Sequence, residues 1–218
     1  MSFKDRLSVK KIASAEDREK ALEVLSQVYQ GEKGWVEDRE KLLPQEDLSR
    51  PEVDWWATLL DDQILGVTRV LYEIPIELYR EYGFKLTIPG LDVEAFVKNN
   101  KIAEVGRFAV LHEYRTKFHV AALLMRAAGV AAVKRGFTHL ITDVFEDDPN
   151  TPYGFHRRVL GFQEVATHEV GELNCKSRRI TMLLDLREAA RQVSTRKGWF
   201  YRFLDEEAKK IAAGVSHG

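Results

Sequence analysis

Short apolar runs alternate along the chain with longer segments whose apolar residues recur at helical spacing. The short runs predict strands at Leu7–Ile12, Trp55–Leu60, Ile64–Tyr72, Ile102–Val110, His139–Val144, Gln163–Glu169 and Ile180–Leu186. The longer segments predict helices from the N-cap Ser14 to about Gln30 and over Pro75–Tyr82, Leu91–Asn99, Phe118–Arg135, Pro152–Leu160 and Thr195–Ala213. This order of strands and helices indicates a mixed α/β domain.

Chain length and the last helix decide the predicted domain organisation. A chain of 218 residues can form one domain with a full core. The Phe118–Arg135 segment is rich in alanine, which suits close packing on a sheet, whereas Thr195–Ala213 is amphipathic. We therefore expect one domain over residues 1–186 and a C-terminal helical extension over residues 187–218, packed on the same domain.

Composition and charge argue against several classes of protein. The formal net charge is −1, so nothing global favours nucleic acid as a partner. The single cysteine, Cys175, cannot form an intrachain disulfide and fits a reducing compartment. No apolar run approaches the ~20 residues that span a bilayer, and the segment MSFKDRLSVK lacks the apolar core of a signal peptide. We expect a cytoplasmic protein without stable membrane insertion.

The segment Glu104–Leu124, EVGRFAVLHEYRTKFHVAALL, gives the strongest indication of chemistry. Glu104 and Arg107 stand inside an apolar strand, where a charge is costly unless it is paired or used. A charged turn, His112–Lys117, then leads into the alanine-rich helix. A turn at a helix N-terminus is a common place for a phosphate group.

The turn and the helix start resemble the acyl-cofactor motif of the GNAT superfamily of N-acyltransferases. That motif is Arg or Gln, two residues, Gly, one residue, then Gly or Ala, and its backbone N–H groups bind the pyrophosphate of coenzyme A. Here Arg115 matches, while Phe118 and Val120 stand at the glycine positions. Bulky side chains at both positions are expected to obstruct a tight pyrophosphate site and to weaken acetyl-CoA binding.

Two strands resemble a narrower group, the acyl-homoserine-lactone (autoinducer) synthases and the long-chain N-acyl amino acid synthases. EVGRFAV is similar to their Glu-x-Ser-Arg-Phe strand, and LGVTRV resembles their Gly-x-x-Arg-Leu strand, which makes Arg69 the matching arginine. Tyr29 and Trp35 resemble the paired aromatic residues of their N-terminal region. Leu25 stands where an arginine is expected, so a relative that acylates another amine fits better.

The resemblance implies a GNAT fold, which is a mixed, mostly antiparallel sheet flanked by helices, with two central strands that splay apart. The acyl-phosphopantetheine arm of acyl carrier protein or coenzyme A would lie in that cleft, and no metal would take part. Donor binding is thereby assigned to Phe108, Ala109, Val110, Arg115, Lys117, Phe118, His119 and Val120. Tyr29 and Trp35 are assigned to a small amine acceptor; a packed or solvated histidine is the alternative for His119.

Three charged residues are candidates for the chemistry. An amine attacks a thioester only when neutral, so we expect a nearby carboxylate, Glu104, to accept its proton directly or through water. The alternative for Glu104 is a structural ion pair with Arg107 or Arg69. The two arginines could orient a substrate carboxylate or a thioester oxygen, or they could hold the strands together.

The leaving thiolate needs a proton, and the run PYGFHRRVLGF offers two donors. Many GNAT enzymes have a tyrosine here, in a pattern like Phe-Tyr-x-x-x-x-Gly-Phe. His156 stands at the tyrosine position and Tyr153 one turn earlier. The pKa of a histidine lies near neutral pH, which makes His156 a candidate acid. A surface histidine beside Arg157 and Arg158 is the alternative.

Several basic residues could bind an acidic acyl carrier protein, or they could form an ordinary solvated face. They are Arg115, Lys117, Lys134, Arg135, Arg157 and Arg158. The segment Leu78–Val97 and the C-terminal helix could cover a long acyl chain, because each buried CH₂ contributes about 0.8 kcal/mol; packing on the core is the alternative for that helix.

These observations favour an N-acyltransferase that moves a medium or long acyl chain from acyl carrier protein or acyl-CoA to a small amine such as an amino acid. One alternative is a conventional acetyl-CoA-dependent N-acetyltransferase, which donor preference would distinguish. Another is a non-catalytic acyl-binding module, which would bind a donor without turnover.

Overall fold

The computed structural model describes residues 2–74 and 81–195. Its strands are β1 Leu7–Lys11, β2 Val53–Leu60, β3 Gln63–Leu71, β4 Lys85–Leu86, β5 Ile102–Val110, β6 His139–Phe145, β7 Gln163–His168 and β8 Arg179–Asp185. Its α-helices are α1 Ala15–Ser26, α2 Val93–Asn99, α3 Phe118–Lys134 and α4 Leu186–Thr195. Gln27–Glu32 and Phe155–Leu160 are π-helical turns, and Phe3–Arg6, Arg39–Lys41, Gln45–Leu48 and His112–Tyr114 are 3₁₀ turns.

The structure departs from the predicted elements at two places. The two-residue strand β4, which pairs with β7, was not predicted. A helix, α4, begins directly after β8, because Asp185 Oδ1 accepts the backbone N–H groups of Arg187 and Glu188 at 2.8 and 3.0 Å. Most of the predicted helix Pro75–Tyr82, and the part of Thr195–Ala213 after its first residue, lie outside the described residues. The C-terminal extension therefore stays a prediction.

One sheet organises the part of the chain that is described, in the order β1-β2-β3-β5-β6-β8-β7-β4. The pairing of β5 with β6 is parallel and the other neighbours are antiparallel. The parallel pairing joins Ile102–Glu104 to His139–Ile141, and both strands continue beyond it. β5 and β6 therefore separate after Glu104 and leave a cleft between them.

Helices cover both faces of the sheet. Consecutive tryptophans on β2 enter different apolar clusters: Trp55 packs with Leu22 and Leu25 of α1, and Trp56 packs with α3. This follows from the two-residue period of a strand. The alanines of α3 are buried and allow its close approach to the sheet, as predicted. The approach is tight at Gly66, where an added Cβ would lie 3.1 Å from Leu124 Cδ1 of α3.

Candidate active site

The separated strands open onto a cleft of about 360 Å³. One wall is β5 from Glu104 to Val110, and the other is β6 from Thr142 to Phe145. The rest of the lining comes from residues that follow α1 in the sequence, from residues that follow β6, and from the loop between β7 and β8 (residues 169–178, the β7–β8 loop). The cleft therefore collects residues from distant parts of the sequence.

A β-bulge turns Arg107 into the cleft. Val67 pairs with Ala109 and Arg69 with Gly106, so β5 has one more residue than β3 between these pairs. Arg107 takes a φ of 49°, which is uncommon for a residue with a Cβ. In a regular strand, Glu104 and Arg107 would face opposite sides of the sheet. With the bulge, both of them line the cleft.

Four charged side chains meet where β5 and β6 separate: Arg69, Glu104, Arg107 and Glu172 (the charged cluster). Arg69 donates to Glu104 Oε1 at 3.1 Å and to both carboxylate oxygens of Glu172 at 3.1 and 3.3 Å. Arg107 Nη2 donates to Glu172 Oε1 at 2.7 Å. The side chains of Arg69, Glu104 and Arg107 are 13, 20 and 5 % exposed, whereas that of Glu172 is 50 % exposed.

Glycine at position 106 makes room for the pair of Arg69 and Glu104. A Cβ on Gly106 would lie 2.9 Å from Glu104 Oε1 and 3.5 Å from Arg69 Nη2. The structural ion pair that the sequence offered as an alternative role for Glu104 is therefore present. An ion pair does not exclude a role as base, since the same carboxylate also lines the cleft.

The two carboxyl groups of the charged cluster have opposite pKa shifts. Burial raises the pKa of Glu104; Arg69 lowers it and Asp143 and Glu172 raise it, and the net shift is upward. Burial also raises the pKa of Glu172, but Arg69 and Arg107 outweigh this effect and bring it to about 2. Glu172 therefore stays ionised, and Glu104 is the carboxyl better suited to accept a proton.

Three acidic residues of the cleft were missed by sequence reasoning: Glu172, Asp143 and Asp148. Asp143 was detectable, because it interrupts the apolar strand β6 as Glu104 interrupts β5. Glu172 gave no comparable signal, since it lies in the polar stretch GELNCKSRR, 103 residues from Arg69.

Asp143 is held by a buried histidine and a threonine. Its Oδ2 lies 3.0 Å from His168 Nε2, and its Oδ1 accepts from Thr181 Oγ1 at 2.7 Å. The other ring nitrogen of His168 lies 2.7 Å from the Val170 carbonyl oxygen, so both nitrogens face acceptors. Burial lowers the pKa of His168, but Asp143 raises it more. The charge of Asp143 helps to raise the pKa of Glu104.

The edge of β5 predicted to bind pantetheine carries two hydrogen bonds from side chains. Tyr29 Oη donates to the Phe108 carbonyl at 3.2 Å, and Arg115 Nε donates to the Val110 carbonyl at 3.0 Å. Arg115 also donates to Glu32 at 2.6 Å. Each carbonyl oxygen has a second lone pair, so these contacts leave room for a donor amide.

Phe118 and Val120, which replace the motif glycines, lie in different environments. Phe118 lines the cleft together with Ala121. Val120 is fully buried in the core with Leu124, and its carbonyl accepts a hydrogen bond from Thr58 at 3.2 Å. Phe118 is therefore the one of the two that narrows the cleft.

The other two predicted donor-binding residues of this loop are Lys117 and His119. Lys117 is the N-cap of α3; it makes no side-chain capping hydrogen bond, and its carbonyl accepts the backbone N–H of Val120 at 2.9 Å. His119 stacks on Phe118 with ring centroids 4.2 Å apart. Burial, and then the charge of Lys4, lower the pKa of His119.

His156 lines the cleft and is 1 % exposed, so it is not a surface histidine. Its Nδ1 lies 2.9 Å from the Pro152 carbonyl oxygen and therefore carries the hydrogen. Its Nε2 is buried without a hydrogen-bond partner among the described residues. Burial lowers the pKa of His156 to about 4. At neutral pH, His156 is a neutral imidazole whose Nε2 can accept a hydrogen bond.

Tyr153 makes its contacts away from the cleft lining. Its hydroxyl donates to Glu164 Oε2 at 3.3 Å and accepts from Arg157. The structure thus separates the two predicted proton donors, and the acid role of each stays a prediction.

Both aromatic residues predicted to bind the acceptor, Tyr29 and Trp35, line the cleft. Their ring centroids are 6.1 Å apart, and Trp35 also packs on Phe145 at 4.2 Å. Lys33 lies over Trp35 and forms a largely buried ion pair with Asp148 across the cleft lining.

The basic residues suggested as a dock for a carrier protein do not form one surface. Arg115 and Lys117 precede α3, while Lys134 and Arg135 are at its other end. A helix of 17 residues separates them by about 25 Å. Arg135 is also engaged, because it pairs with Asp54 at 3.2 Å. A docking surface for a carrier protein at Arg115 and Lys117 would contain fewer basic residues than predicted.

Within residues 2–74 and 81–195, no group of three or more His, Cys, Asp or Glu side chains could hold a metal ion. No helix there is long and apolar enough to cross a membrane.

Comparisons with known proteins show the fold. The sequence matches no protein-family model and no curated protein sequence. The structure is similar to that of FeeM, an N-acyl amino acid synthase from uncultured soil microbes, with a TM-score of 0.63 and 19 % identity over 86 % of this chain and 94 % of that one. It is also similar to an N-acetyltransferase from Staphylococcus aureus Mu50, with a TM-score of 0.59 and 16 % identity over 83 % and 98 % of the two chains.

A third similar structure is an aminoglycoside 6'-acetyltransferase type Ii, with a TM-score of 0.58 and 14 % identity over 82 % and 97 % of the two chains. At these identities the likeness establishes the fold. The chain has the fold of the GNAT N-acyltransferases, and the predicted fold class is confirmed.

Proposed function

We propose that this protein is an N-acyltransferase that moves a medium or long acyl chain from acyl carrier protein or acyl-CoA to a small amine that bears a carboxylate. Glu104 carries the proposal: it is a largely buried acid with a raised pKa, and it stands where the two cleft strands separate. A carboxyl with these properties is suited to take a proton from a bound ammonium or amine.

The reaction is a direct transfer. The amine nitrogen attacks the thioester carbonyl carbon, the C–N bond forms, Glu104 takes the amine proton, and the C–S bond breaks. A thiol has a pKa of about 8.5, so the thiolate can leave and then take a proton from water. The neutral state of His156 at pH 7 fits a hydrogen-bond acceptor for the donor better than an obligate acid.

An apolar pocket of about 90 Å³ supports a chain longer than acetyl. The pocket is on the same face of the sheet as Glu104, because two of its lining residues are Ile102 and Ile141. Ile102 precedes Glu104 by two residues, and Ile141 pairs with Glu104 on the neighbouring strand. The segment before β5, including Phe96 of α2, covers this pocket. Each CH₂ buried there would contribute about 0.8 kcal/mol.

The test is mass spectrometry of lipid extracts from cells that express the wild type or Glu104→Ala. We expect N-acyl amines with the wild type, and their absence with Glu104→Ala. Glu23→Ala is the matched control, because Glu23 is an exposed acid on α1. Identical extracts from the wild type and Glu104→Ala would contradict the proposal.

A second candidate is transfer of acetyl from acetyl-CoA. One observation favours it: Val120 is buried in the core, so one of the two expected obstructions of the pyrophosphate site does not face the cleft. Assays of the purified protein with acetyl-CoA and with a long-chain acyl-CoA separate the two candidates. Binding of either donor without turnover would favour the acyl-binding module.

A further inference from the structure

Arg69 and Arg107 hold the Glu172 carboxylate as such a pair would hold the carboxylate of a substrate. Arg69 contacts both oxygens of Glu172 through its two terminal nitrogens, and Arg107 adds a third hydrogen bond, at 2.7 Å. This arrangement is the forked geometry by which arginine recognises carboxylates. We propose that Glu172 is an internal stand-in, and that the carboxylate of the acceptor replaces it on these two arginines. The inference rests on the proposed function.

Arg69 and Arg107 are more buried than Glu172, the side chain that the acceptor carboxylate would replace. Arg69 and Arg107 are on central strands with side chains 13 and 5 % exposed, while the side chain of Glu172 is 50 % exposed on the β7–β8 loop. If the Glu172 side chain turns away, Arg69 keeps its hydrogen bond to Glu104, while Arg107 loses the carboxylate to which it donates. Since an uncompensated buried charge is costly, Glu172 leaves most readily when another anion takes its place.

The arginines also have donors that Glu172 does not use. Arg107 Nε and Nη1 and Arg69 Nε are buried without a hydrogen-bond partner among the described residues. Arg107 as a whole is 8 % exposed and lines the cleft. A carboxylate on a small molecule can lie deeper than the end of a loop side chain and can reach these donors. Its amine would then lie near Glu104, which shares Arg69 with the subsite.

The β7–β8 loop is attached to an aromatic residue predicted to bind the acceptor. The backbone N–H of Asn174 donates to the Trp35 carbonyl at 3.1 Å. Arg179, at the start of β8, donates to the carbonyls of Glu169 and Leu173 at 2.6 and 2.7 Å and fixes both sides of Glu172. Movement of Glu172 would therefore displace Trp35, which lines the cleft.

The first experiment uses Glu172→Ala, with Glu169→Ala as the matched control from an exposed position on the same loop. Thermal unfolding is followed in sodium acetate, in sodium chloride and in neutral acetamide. We expect acetate at high millimolar concentration to raise the Tm of Glu172→Ala by several degrees more than the Tm of the wild type or of the control. Equal shifts in all three proteins, or an equal effect of acetamide, would show that no carboxylate subsite exists.

The second experiment separates exchange from a permanent structural role. The KM of Glu172→Ala for the amino acid found by mass spectrometry should be about tenfold lower than that of the wild type, because no internal carboxylate competes. Acetate should then inhibit Glu172→Ala competitively. If acetate instead restores lost turnover, Glu172 is a fixed part of the site and the inference is wrong.

The two experiments fail independently. If no donor and amine give N-acyl transfer, the proposed function is wrong, while the acetate-dependent Tm of Glu172→Ala still tests the arginine subsite. If transfer occurs and Glu172→Ala matches Glu169→Ala in both experiments, the proposed function stands and the role of Glu172 as a stand-in is overturned.

Discussion

The two ends of the cleft are built by different interactions. At the end where β5 and β6 join, hydrogen bonds connect the four ionisable side chains of the charged cluster. At the other end, the start of α3 presents the apolar ring of Phe118, and the N-cap residue Lys117 makes no side-chain capping hydrogen bond. Under the proposed function, the charged end would receive a small polar acceptor and the apolar end would receive the donor.

This difference indicates where specificity resides. Buried charges discriminate strongly, since an unsatisfied partner is costly. An apolar wall discriminates mainly by size. We therefore expect the acceptor to be chosen narrowly at the charged cluster, and the donor to be chosen by the length of its acyl chain.

The largest expected effect is on stability, at Arg69. Arg69→Met removes the hydrogen bond from Arg69 to Glu104 and the forked contact with Glu172, and it should lower the free energy of unfolding at pH 8 by about 3–5 kcal/mol. Urea denaturation measures this, and Arg69→Met/Glu104→Gln should recover most of the loss. Arg178→Met is the control: Arg178 and its partner Glu146 are both exposed, so the change should be below about 1 kcal/mol. Equal effects of Arg69→Met and Arg178→Met would mean that the charged cluster is not tightly coupled.

The next effect is on turnover. Glu104→Gln keeps the shape of the side chain and removes the base, so kcat should fall by roughly 10²-fold or more. Circular dichroism should show the same fold as the wild type. An unchanged kcat would remove Glu104 from the mechanism and leave it as a partner of Arg69.

A smaller effect is expected at the start of α3. Phe118→Gly removes the ring that narrows the cleft, and the dissociation constant for coenzyme A should fall by about tenfold. Val120→Ala is the matched control, because the side chain of Val120 is in the core. Calorimetry measures both. Tighter binding of coenzyme A by Val120→Ala, with no change for Phe118→Gly, would mean that Val120 and not Phe118 obstructs the site.

The smallest expected effect is on the pH dependence. The base works when it is deprotonated, so kcat/KM, which reports the free enzyme, should fall as the pH is lowered through the raised pKa of Glu104. Because the charge of Glu172 helps to raise that pKa, Glu172→Gln should move the acidic limb of the pH profile to lower pH. Movement to higher pH would mean that the charge of Glu172 does not control Glu104.

Much of the fold was predictable because strands and helices have local periodicities. The predicted strand Trp55–Leu60 is part of β2, and the alanines of α3 indicated its close packing on the sheet. Two-residue β4 is too short for a pattern, and its pairing with β7 depends on a neighbour distant in sequence. The start of α4 was missed because Leu186 is apolar and was assigned to the last strand, whereas Asp185 before it accepts two helix N–H groups and starts the helix there.

By itself, the sequence determined that charges stand in an apolar strand, which selected Glu104 and Arg107 as candidates, and the resemblance of LGVTRV to a family strand added Arg69. Tertiary structure decided which charges meet. The bulge turns the Arg107 side chain to the face of the sheet opposite to the one that the two-residue period of a strand predicts. Such a bulge is set by the pairing of β5 with β3. Glu172 reaches the arginines from a polar loop, and contacts between residues so far apart in the chain leave no local pattern.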